Sequence, residues 1–496
     1  MRKSLLFAVL LLLPARMHAH VGSPDTFFEG NAGPYRLFVT VRMPEVIPGV
    51  AEVEIRSESS DITAVRILPL RLTGAGSQYE PKPELMERSR SDPQFFSGRI
   101  WLMGFHALQL RVEADGGPGR GTLAVPLMAE AQRTLRMDKQ LASLLFVFMI
   151  FLAVTLVLIF RVALGEALLE PGVTSDNRSA AKLRWVTGAG VFLVVTILYL
   201  GNTWWNAEAN SYSLGVMKPP VLGASFDPAG RLSLFPPEGQ SPVRARPPRS
   251  ASWLAWPEIL KNLRPDHGHL MHLFLVRQPE WDYFCHLHPE PDPKGFFSQS
   301  LPNLPAGRYQ MFADVVTETG LAITMVGKID LPEMRGVPLQ GDDSTTVAPP
   351  NPAAAGTQAV SVLHDGQMKW ERESGPLRAR TALRLRFQVE DQEGKPAMDL
   401  EPYMGMAGHL IILSSDGSVF AHVHPAGSVA MASLELAERS LGSVAIPDMA
   451  SMHQVPLSSE VTFPYGFPQA GDYRLFVQVK RKNQIQTGIF DAHVEP

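Results

Sequence analysis

The sequence predicts a mainly β protein with two transmembrane helices and β-sandwich domains on the outer face of a membrane. Three observations support this fold class: two long uncharged apolar runs, 42 prolines and 40 glycines scattered along 496 residues, and a histidine-containing strand pattern that occurs twice. Chain length predicts about three domains, at roughly 100–200 residues each. A formal net charge of −4 provides no basic field, which argues against nucleic-acid binding.

Residues 1–19 have the plan of a secretory signal peptide. Arg2 and Lys3 precede a short apolar run, and Ala19 is a small residue suited to a cleavage site. Cleavage there would make His20 the N-terminus. Export places residues 20–130 outside, where short alternating runs and Gly-rich turns predict a β-sandwich of Ig-like size.

Two apolar runs, residues 141–160 and 185–205, predict transmembrane helices, since about 20 apolar residues cross a bilayer. The connecting loop, residues 161–184, carries Arg and Lys side chains. Positive loops stay in the cytoplasm, so this loop is predicted to be cytoplasmic. The protein is therefore expected in the cytoplasmic (inner) membrane, with its soluble domains facing the periplasm.

Residues 206–264 are predicted to form a linker or lead-in. Two similar blocks follow, residues 265–330 and 357–496, with a Pro/Ala-rich linker, residues 331–356, between them. Each block has a strand that opens with histidine, then the pattern Phe-x-His-x-His-Pro, then Gly-x-Tyr. This internal repeat predicts two related β-sandwiches.

The repeated histidines predict a metal site in each block. Alternation along a strand puts both imidazoles of a His-x-His pair on one face, roughly 7 Å apart. The preceding strand of the hairpin adds a third imidazole, and three imidazoles suit Zn²⁺ or Cu²⁺. The predicted ligands are His272, His286 and His288 in the first block and His409, His422 and His424 in the second.

A secondary set of donors lies nearby in the sequence: His267, His269, Met404, Met406, Met449, Met452 and His453. Thioethers suit Cu(I), which favours copper over zinc, although methionines in β cores often serve packing alone. His20, with a free α-amino group, is a further Cu²⁺ chelator if His106 approaches it. Cys285, the single cysteine, is predicted to be a buried hydrophobe on the face opposite His286 and His288.

Three functions are compatible with these residues. The first is a membrane-anchored, chaperone-like or sensor-like metal-binding protein with a metal-transfer or envelope protein as partner. The second is a structural module that binds an envelope partner while its histidines only brace hairpins. The third is a metal-dependent enzyme with Glu290 as base, although the sequence contains no hydrolase, zincin, phosphate-loop or dinucleotide motif in a supporting context.

The tandem blocks resemble bacterial envelope proteins with YtkA-like and copper-resistance-protein-C-like β-sandwiches. Three segments carry the resemblance: residues 402–405 (PYMG), 421–425 (AHVHP) and 471–476 (GDYRLF). It covers roughly residues 265–330 and 400–496. The resemblance implies Ig-like or cupredoxin-like sandwiches and a link to copper or other heavy metals. The chain lacks the cysteine loop of blue-copper proteins, so the resemblance implies metal binding or handoff rather than electron transfer.

Overall fold

The computed structural model describes residues 20–21, 24–74, 80–167, 177–227, 230–235, 260, 262–292, 296–349, 359–372, 375–442 and 457–496. The predicted signal peptide, residues 1–19, and the proline-containing residues 236–248 of the predicted lead-in lie outside these ranges. The chain divides into two compact units: residues 1–130, 218–244 and 253–496, and residues 131–217 with 245–252. As predicted, the described part is mainly β, with its strands grouped in six sheets.

The N-terminal module consists of two sheets with the strand orders β2-β3-β4-β8-β7 and β10-β9-β5-β6. In β4, Ala51, Val53 and Ile55 are buried while Glu52 is exposed, the alternation of a strand with one face on a core. The strands are β1 His20–Val21, β2 Thr26–Ala32, β3 Tyr35–Arg42, β4 Gly49–Ser57, β5 Ile62–Arg71, β6 Glu84–Leu85, β7 Glu87–Arg88, β8 Phe95–Leu102, β9 His106–Gly116 and β10 Gly119–Ala129. Strand β1 pairs outside this module.

The second unit contains two helices, α1 Lys139–Ala167 and α2 Asn177–Leu214. Both are long and apolar enough to cross a bilayer, and their most apolar stretches bury no residue. Both extend past the predicted runs because a helix continues through polar flanks whose side chains reach water. Residues 161–167 and 177–184, predicted as loop, are therefore helical.

The first predicted block, called repeat 1 from here on, has two sheets. One has the order β13-β18-β14-β15-β20, with β19 also paired to β18, and the other has the order β11-β12-β17-β16. Its strands are β11 Gly223–Phe226, β12 Arg231–Phe235, β13 Leu263–Arg264, β14 His272–Gln278, β15 Tyr283–Leu287, β16 Glu290–Pro291, β17 Phe297–Ser300, β18 Gly307–Thr317, β19 Ala322–Leu331 and β20 Ser344–Val347.

The predicted bounds of repeat 1, residues 265–330, are too narrow. Strands β11 and β12 come from the predicted lead-in, and β20 comes from the predicted linker. Strands β12 and β20 pair with partners distant in sequence, Arg231 with Ser300 and Tyr283 with Val347, whereas β11 pairs with its neighbour β12. Four- and five-residue strands held by such partners carry too little local alternation to be recognised from the sequence.

The second predicted block, called repeat 2, also has two sheets. One has the order β1-β27-β26-β29-β30-β23, with β25 paired to β29, and the other has the order β21-β22-β24-β28. Its own strands are β21 Val360–Leu363, β22 Gly366–Glu371, β23 Leu377–Arg378, β24 Leu383–Glu390, β25 Leu400–Glu401, β26 His409–Ser414, β27 Val419–Val423, β28 Glu460–Tyr465, β29 Gly471–Arg481 and β30 Gln484–Glu495. Helix α3, Met431–Ser440, lies between β27 and β28.

The N-terminal module packs on repeat 2 as part of the same unit. Phe27 of β2 lies in the hydrophobic core of repeat 2, and β1 pairs in parallel with β27. Glu29, whose side chain is 4 % exposed, forms an ion pair with Arg384 of β24. A fragment that begins after the helices would therefore lose part of the repeat 2 core.

The repeats pack face to face through β14, β15 and β18 of repeat 1 and β26, β27 and β29 of repeat 2. Phe284 stacks on Phe476 with ring centroids 4.2 Å apart, and Phe312 stacks on Phe420 at 4.3 Å. Phe284 and Phe420 precede the two His-x-His pairs, so equivalent residues exchange partners, as in an isologous dimer. The repeats are thus related by an approximate two-fold axis.

Candidate metal centre

The histidines of both repeats meet at the interface between the two sheets. The hairpin registers pair Leu273 with Leu287 and Leu410 with Val423. The histidine that opens each hairpin therefore lies opposite the second histidine of each His-x-His pair. Rings of the two repeats also approach each other, as His272 and His422 do with centroids 5.5 Å apart. The sequence predicted two separate sites, whereas the structure forms one histidine cluster with contributions from both repeats.

A tight turn precedes each hairpin and has the same backbone in both repeats. Asp266 and His269 exchange backbone hydrogen bonds, as Tyr403 and Met406 do. His267 and Met404 occupy the left-handed region at φ 52° and 49°, and each is followed by a left-handed glycine. His267 and Met404 are therefore equivalent positions.

The repeat 1 site consists of His272, His286 and His288, which are 1 %, 0 % and 7 % exposed. One nitrogen of each lies within 4.8 Å of the others. His272 Nδ1 is 3.2 Å from His286 Nε2. These are the three ligands predicted for the first block.

The outer nitrogens of the repeat 1 site all face acceptors. His272 Nε2 donates to the Asp266 carbonyl at 3.1 Å, and His288 Nδ1 donates to Asp343 Oδ1 at 2.9 Å. His286 Nδ1 donates to Gln478 Oε1 of repeat 2 at 2.8 Å. The amide nitrogen of Gln478 donates to Ser344, which fixes its oxygen toward His286. A neutral imidazole carries only one N–H. The second nitrogen of each ring, which faces the other two histidines, therefore carries a lone pair and can only accept.

The inter-repeat site consists of His267 of repeat 1 with His409 and His424 of repeat 2, again with one nitrogen of each within 4.8 Å of the others. His267 Nδ1 donates to the Met404 carbonyl at 3.0 Å, and His424 Nδ1 donates to the Val429 carbonyl at 2.9 Å. Their Nε2 atoms are 3.2 Å apart. Both Nε2 atoms carry a lone pair, because the single N–H of each neutral ring is at Nδ1.

His422 is not a member of the inter-repeat triad, in contrast to the predicted second ligand set. His409 Nε2 donates to the Tyr403 carbonyl at 3.3 Å, so Nδ1 is its lone-pair nitrogen. That Nδ1 lies 3.2 Å from His422 Nε2, while His422 Nδ1 lies 3.4 Å from Asp314 Oδ2 of repeat 1. Packing of the repeats brings His267 into the triad, a residue that the sequence placed in the secondary set.

The imidazoles of the cluster are held neutral. Burial lowers the pKa of every member of the two triads and of His422, and it lowers the pKa of His272 to about 3. Burial disfavours the charged imidazolium form. The rings therefore gain no second N–H that could form a hydrogen bond between two lone-pair nitrogens. Neutral imidazole is the form that binds metal ions.

The spacing of these nitrogens suits a metal ion. Bonds of about 2.0–2.1 Å at a tetrahedral angle place two ligand nitrogens about 3.3 Å apart. The closest pairs in both triads are 3.2 Å apart. Closing a third nitrogen onto an ion needs a ring shift on the order of 1 Å. His288 Nε2 in particular is buried and has no hydrogen-bond partner in the described part of the chain.

The remaining predicted donors lie at the edge of the cluster or away from it. The His269 ring stacks on His288 with centroids 4.0 Å apart, and its Nε2 is 3.3 Å from Asp342. Met404 is buried and Met406 is half-buried. Met449, Met452 and His453 lie outside the described residues.

Cys285 and Glu290 do not join the site. Cys285 packs in the core of repeat 1, on the opposite face of β15, and burial raises the pKa of its thiol to about 12. Glu290 is exposed in the other sheet of repeat 1. His20 lies on β1 at the edge of repeat 2, and His106 opens β9 of the N-terminal module.

The outer residues that orient the imidazoles were not predicted from the sequence. Asp343 lies in the predicted Pro/Ala-rich linker, and Gln478 and Asp314 lie on strands far from the His-x-His pairs. The local signal for Asp343 is its place in a pair of adjacent aspartates, Asp342 and Asp343, within that segment. The sequence gives no indication that Gln478 and Asp314 contact the histidines of the other repeat.

Comparisons with known proteins give a family match for one segment and remote similarities to solved structures. Residues 361–496 match a family described as a domain of unknown function (DUF8832), and no curated protein matches the chain. A tetra-tandem repeat from the extending region of a large adhesion protein is 8 % identical over 91 % of this chain and 97 % of that chain, with a TM-score of 0.16. A putative membrane anchored protein from Corynebacterium diphtheriae is 8 % identical over 95 % and 96 %, with a TM-score of 0.15. Such TM-scores carry no argument about function.

Proposed function

We propose that this chain is a membrane-anchored metal-binding protein that holds transition-metal ions at the repeat 1 site and the inter-repeat site. One observation carries the proposal. Each outer nitrogen of His272, His286 and His288 donates to an oxygen, so three buried lone pairs face one another. A cation between them would satisfy all three acceptors.

The energetic argument depends on burial. A buried acceptor without a partner costs about 1–3 kcal/mol, and several that face each other add mutual repulsion. If the histidines instead stabilised the hairpin by hydrogen bonds between their rings, each pair of facing nitrogens would contain one N–H and one lone pair. The oxygen acceptors at the outer nitrogens remove that possibility for the repeat 1 site.

Copper is the preferred metal and zinc the alternative. Imidazole suits both ions, and the thioether of Met404, a residue whose carbonyl accepts from His267, favours copper together with the resemblance to copper-resistance β-sandwiches. The two apolar helices support membrane anchoring, with the soluble modules on the periplasmic side. A buried site without a described catalytic base fits a chaperone-like or sensor-like role, with a metal-transfer or envelope protein as partner.

Metal analysis of the full chain in detergent tests the proposal. The substitutions His286→Ala, His288→Ala, His422→Ala and His424→Ala together should abolish metal binding after equilibration with Zn²⁺ or Cu²⁺. The matched control is His364→Ala with His493→Ala, since both histidines are exposed and outside the cluster. Equal metal content in all three proteins would favour the alternative in which the histidines only brace the hairpins.

A further inference from the structure

The two histidine triads lie next to each other in one buried cluster. We propose that the repeat 1 site and the inter-repeat site form a single dinuclear centre, in which two divalent ions lie at most about 12 Å apart and are magnetically coupled. This inference rests on the proposed function and specifies the spacing and the charge of the ions.

Histidines of different triads are nearly as close as histidines of the same triad. The ring centroids of His267 and His272 are 5.9 Å apart, and those of His286 and His409 are 6.3 Å apart. Within the repeat 1 site, the centroids of His272 and His286 are 5.4 Å apart. His422, beside the inter-repeat triad, is 5.5 Å from His272 and 5.8 Å from His286. The two triads are therefore direct neighbours.

These centroid distances set an upper limit on the separation of two bound ions. An ion lies about 3 Å from the centroid of each imidazole that binds it, because metal–nitrogen bonds are about 2.0–2.1 Å long. His267 belongs to one site and His272 to the other, with centroids 5.9 Å apart. Ions bound by these two rings therefore lie no more than about 12 Å apart. At such a distance two paramagnetic ions broaden each other's spectra, and two cations in a buried site repel each other.

Carboxylates around the cluster offset this repulsion. The imidazoles are neutral ligands, so each divalent ion adds two positive charges to a buried site, which is costly without nearby negative charge. Three histidines of the cluster each face a carboxylate oxygen: His288 with Asp343 at 2.9 Å, His269 with Asp342 at 3.3 Å and His422 with Asp314 at 3.4 Å. Both sites therefore have a carboxylate beside an imidazole.

A fourth carboxylate belongs to the turn before the first hairpin. Asp266 directly precedes His267 and is 6 % exposed, and its Oδ1 accepts the backbone N–H of Ala432 at 2.7 Å. The four carboxylates carry four negative charges, which equal the charge of two divalent ions. Two monovalent ions would bring only half of that charge. The charge around the cluster therefore favours a divalent pair.

Electron paramagnetic resonance of the wild-type full chain in detergent tests the spacing. One sample is loaded with two equivalents of Cu²⁺, and the other with the same total of ions, mostly Zn²⁺ with a minor part of Cu²⁺. Dipolar coupling should broaden the spectrum of the first sample and add a half-field transition. Dilution with Zn²⁺ should remove both features, because each Cu²⁺ ion then has a diamagnetic neighbour.

Single substitutions test which histidines hold each ion. His288→Ala removes a ligand of the repeat 1 site, and His267→Ala removes a ligand of the inter-repeat site. Each variant should bind one equivalent of Cu²⁺ fewer than the wild type and should lose the broadening. The matched control is His364→Ala with His493→Ala, both exposed, which should keep the coupled spectrum.

Replacement of one carboxylate tests the charge of the ions. Asp314→Asn keeps the size of the side chain and removes one negative charge beside His422. The affinity for one equivalent of Zn²⁺ should fall roughly 10–100-fold, and the affinity for Cu⁺ under reducing conditions should fall less. Asp330→Asn is the control, because the Asp330 side chain is 72 % exposed. An unchanged Zn²⁺ affinity of Asp314→Asn would overturn the divalent assignment.

The outcomes separate the dinuclear centre from the proposed function. Two bound equivalents of Cu²⁺ with a spectrum that Zn²⁺ dilution does not change would overturn the dinuclear centre and leave metal binding intact. Binding of a single ion per wild-type chain would have the same consequence. A wild type that takes up neither Cu²⁺ nor Zn²⁺ would overturn both.

Discussion

The two repeats share the backbone contacts of their histidines and differ in the side chains around them. His272 and His409 both donate to the carbonyl of the residue six positions earlier, at 3.1 and 3.3 Å, and both lie 3.2 Å from the next histidine. In contrast, His288 donates to the carboxylate of Asp343, whereas His424 donates to the Val429 carbonyl.

This difference shows which features of the site the backbone fixes. Hairpin register and the left-handed turn place the imidazoles, so both features occur in both repeats. The side chains beyond the imidazoles are free to differ, and a carboxylate partner raises the basicity of its histidine more than a carbonyl does. The same scaffold therefore holds two candidate histidine triads whose outer hydrogen-bond partners differ.

The largest predicted effect concerns the contact that only repeat 2 makes. Arg474 is buried, pairs with Asp491 and donates to the carbonyls of Trp281 and Pro349, whereas repeat 1 has Gln310 at the equivalent position. Arg474→Met leaves the Asp491 charge buried and unpaired and should lower the free energy of unfolding by about 3–5 kcal/mol.

Urea unfolding of the full chain, followed by tryptophan fluorescence, measures this loss. The matched control is Arg308→Met, because the Arg308–Asp330 pair is 60 % and 72 % exposed. That substitution should leave the unfolding midpoint unchanged. Equal midpoints for the two variants would show that the buried pair does not hold the repeats together.

The next effect concerns the carboxylate that only repeat 1 provides. Asp343→Ala removes the acceptor that fixes the His288 tautomer. Metal affinity of one equivalent should fall roughly 10–100-fold while the other is unchanged, because outer-shell partners have effects of this size. Competition titration with a chelating dye measures both affinities. Asp330→Ala is the control, and a loss at both sites would contradict the separation of the two triads.

A smaller and equal effect is expected for the two aromatic stacks. Phe284→Leu and Phe420→Leu each remove one ring from an inter-repeat stack. Each should lower the free energy of unfolding by about 1–2 kcal/mol, since a stacked pair contributes beyond its buried area. Chemical denaturation measures both losses, and a difference larger than twofold would argue against the approximate two-fold axis.

The smallest effect concerns the two turns. Gly268 and Gly405 have φ of 86° and 79°, which alanine adopts only with strain. Gly268→Ala and Gly405→Ala should each lower the free energy of unfolding by about 1 kcal/mol. Gly117→Ala is the control, because a Cβ there contacts nothing within 4 Å and its φ is not left-handed. A loss in only one repeat would show that the turns are not equivalent.

Much of the fold followed from the sequence because its signals are local. Alternation identified the main strands, apolar length identified α1 and α2, and the repeated His-x-His pattern placed each histidine pair on one face. The short strands β11, β12 and β20 were missed because four or five residues show little alternation, and β12 and β20 also pair with strands far away in the chain. Helix bounds were too narrow because polar flanks continue a helix without adding to its apolar run.

The candidate site, like the fold, was predictable from the sequence only in part. The sequence alone determined that His272, His286 and His288 share a hairpin face, since side chains alternate along a strand. Only the tertiary structure decided that His267 meets His424, 157 positions away, in place of His422. It also decided which nitrogen of each ring faces inward, because the acceptors that fix the tautomers include Gln478 from the other repeat. Alternation is a property of one strand, whereas convergence of rings depends on how two sheets pack.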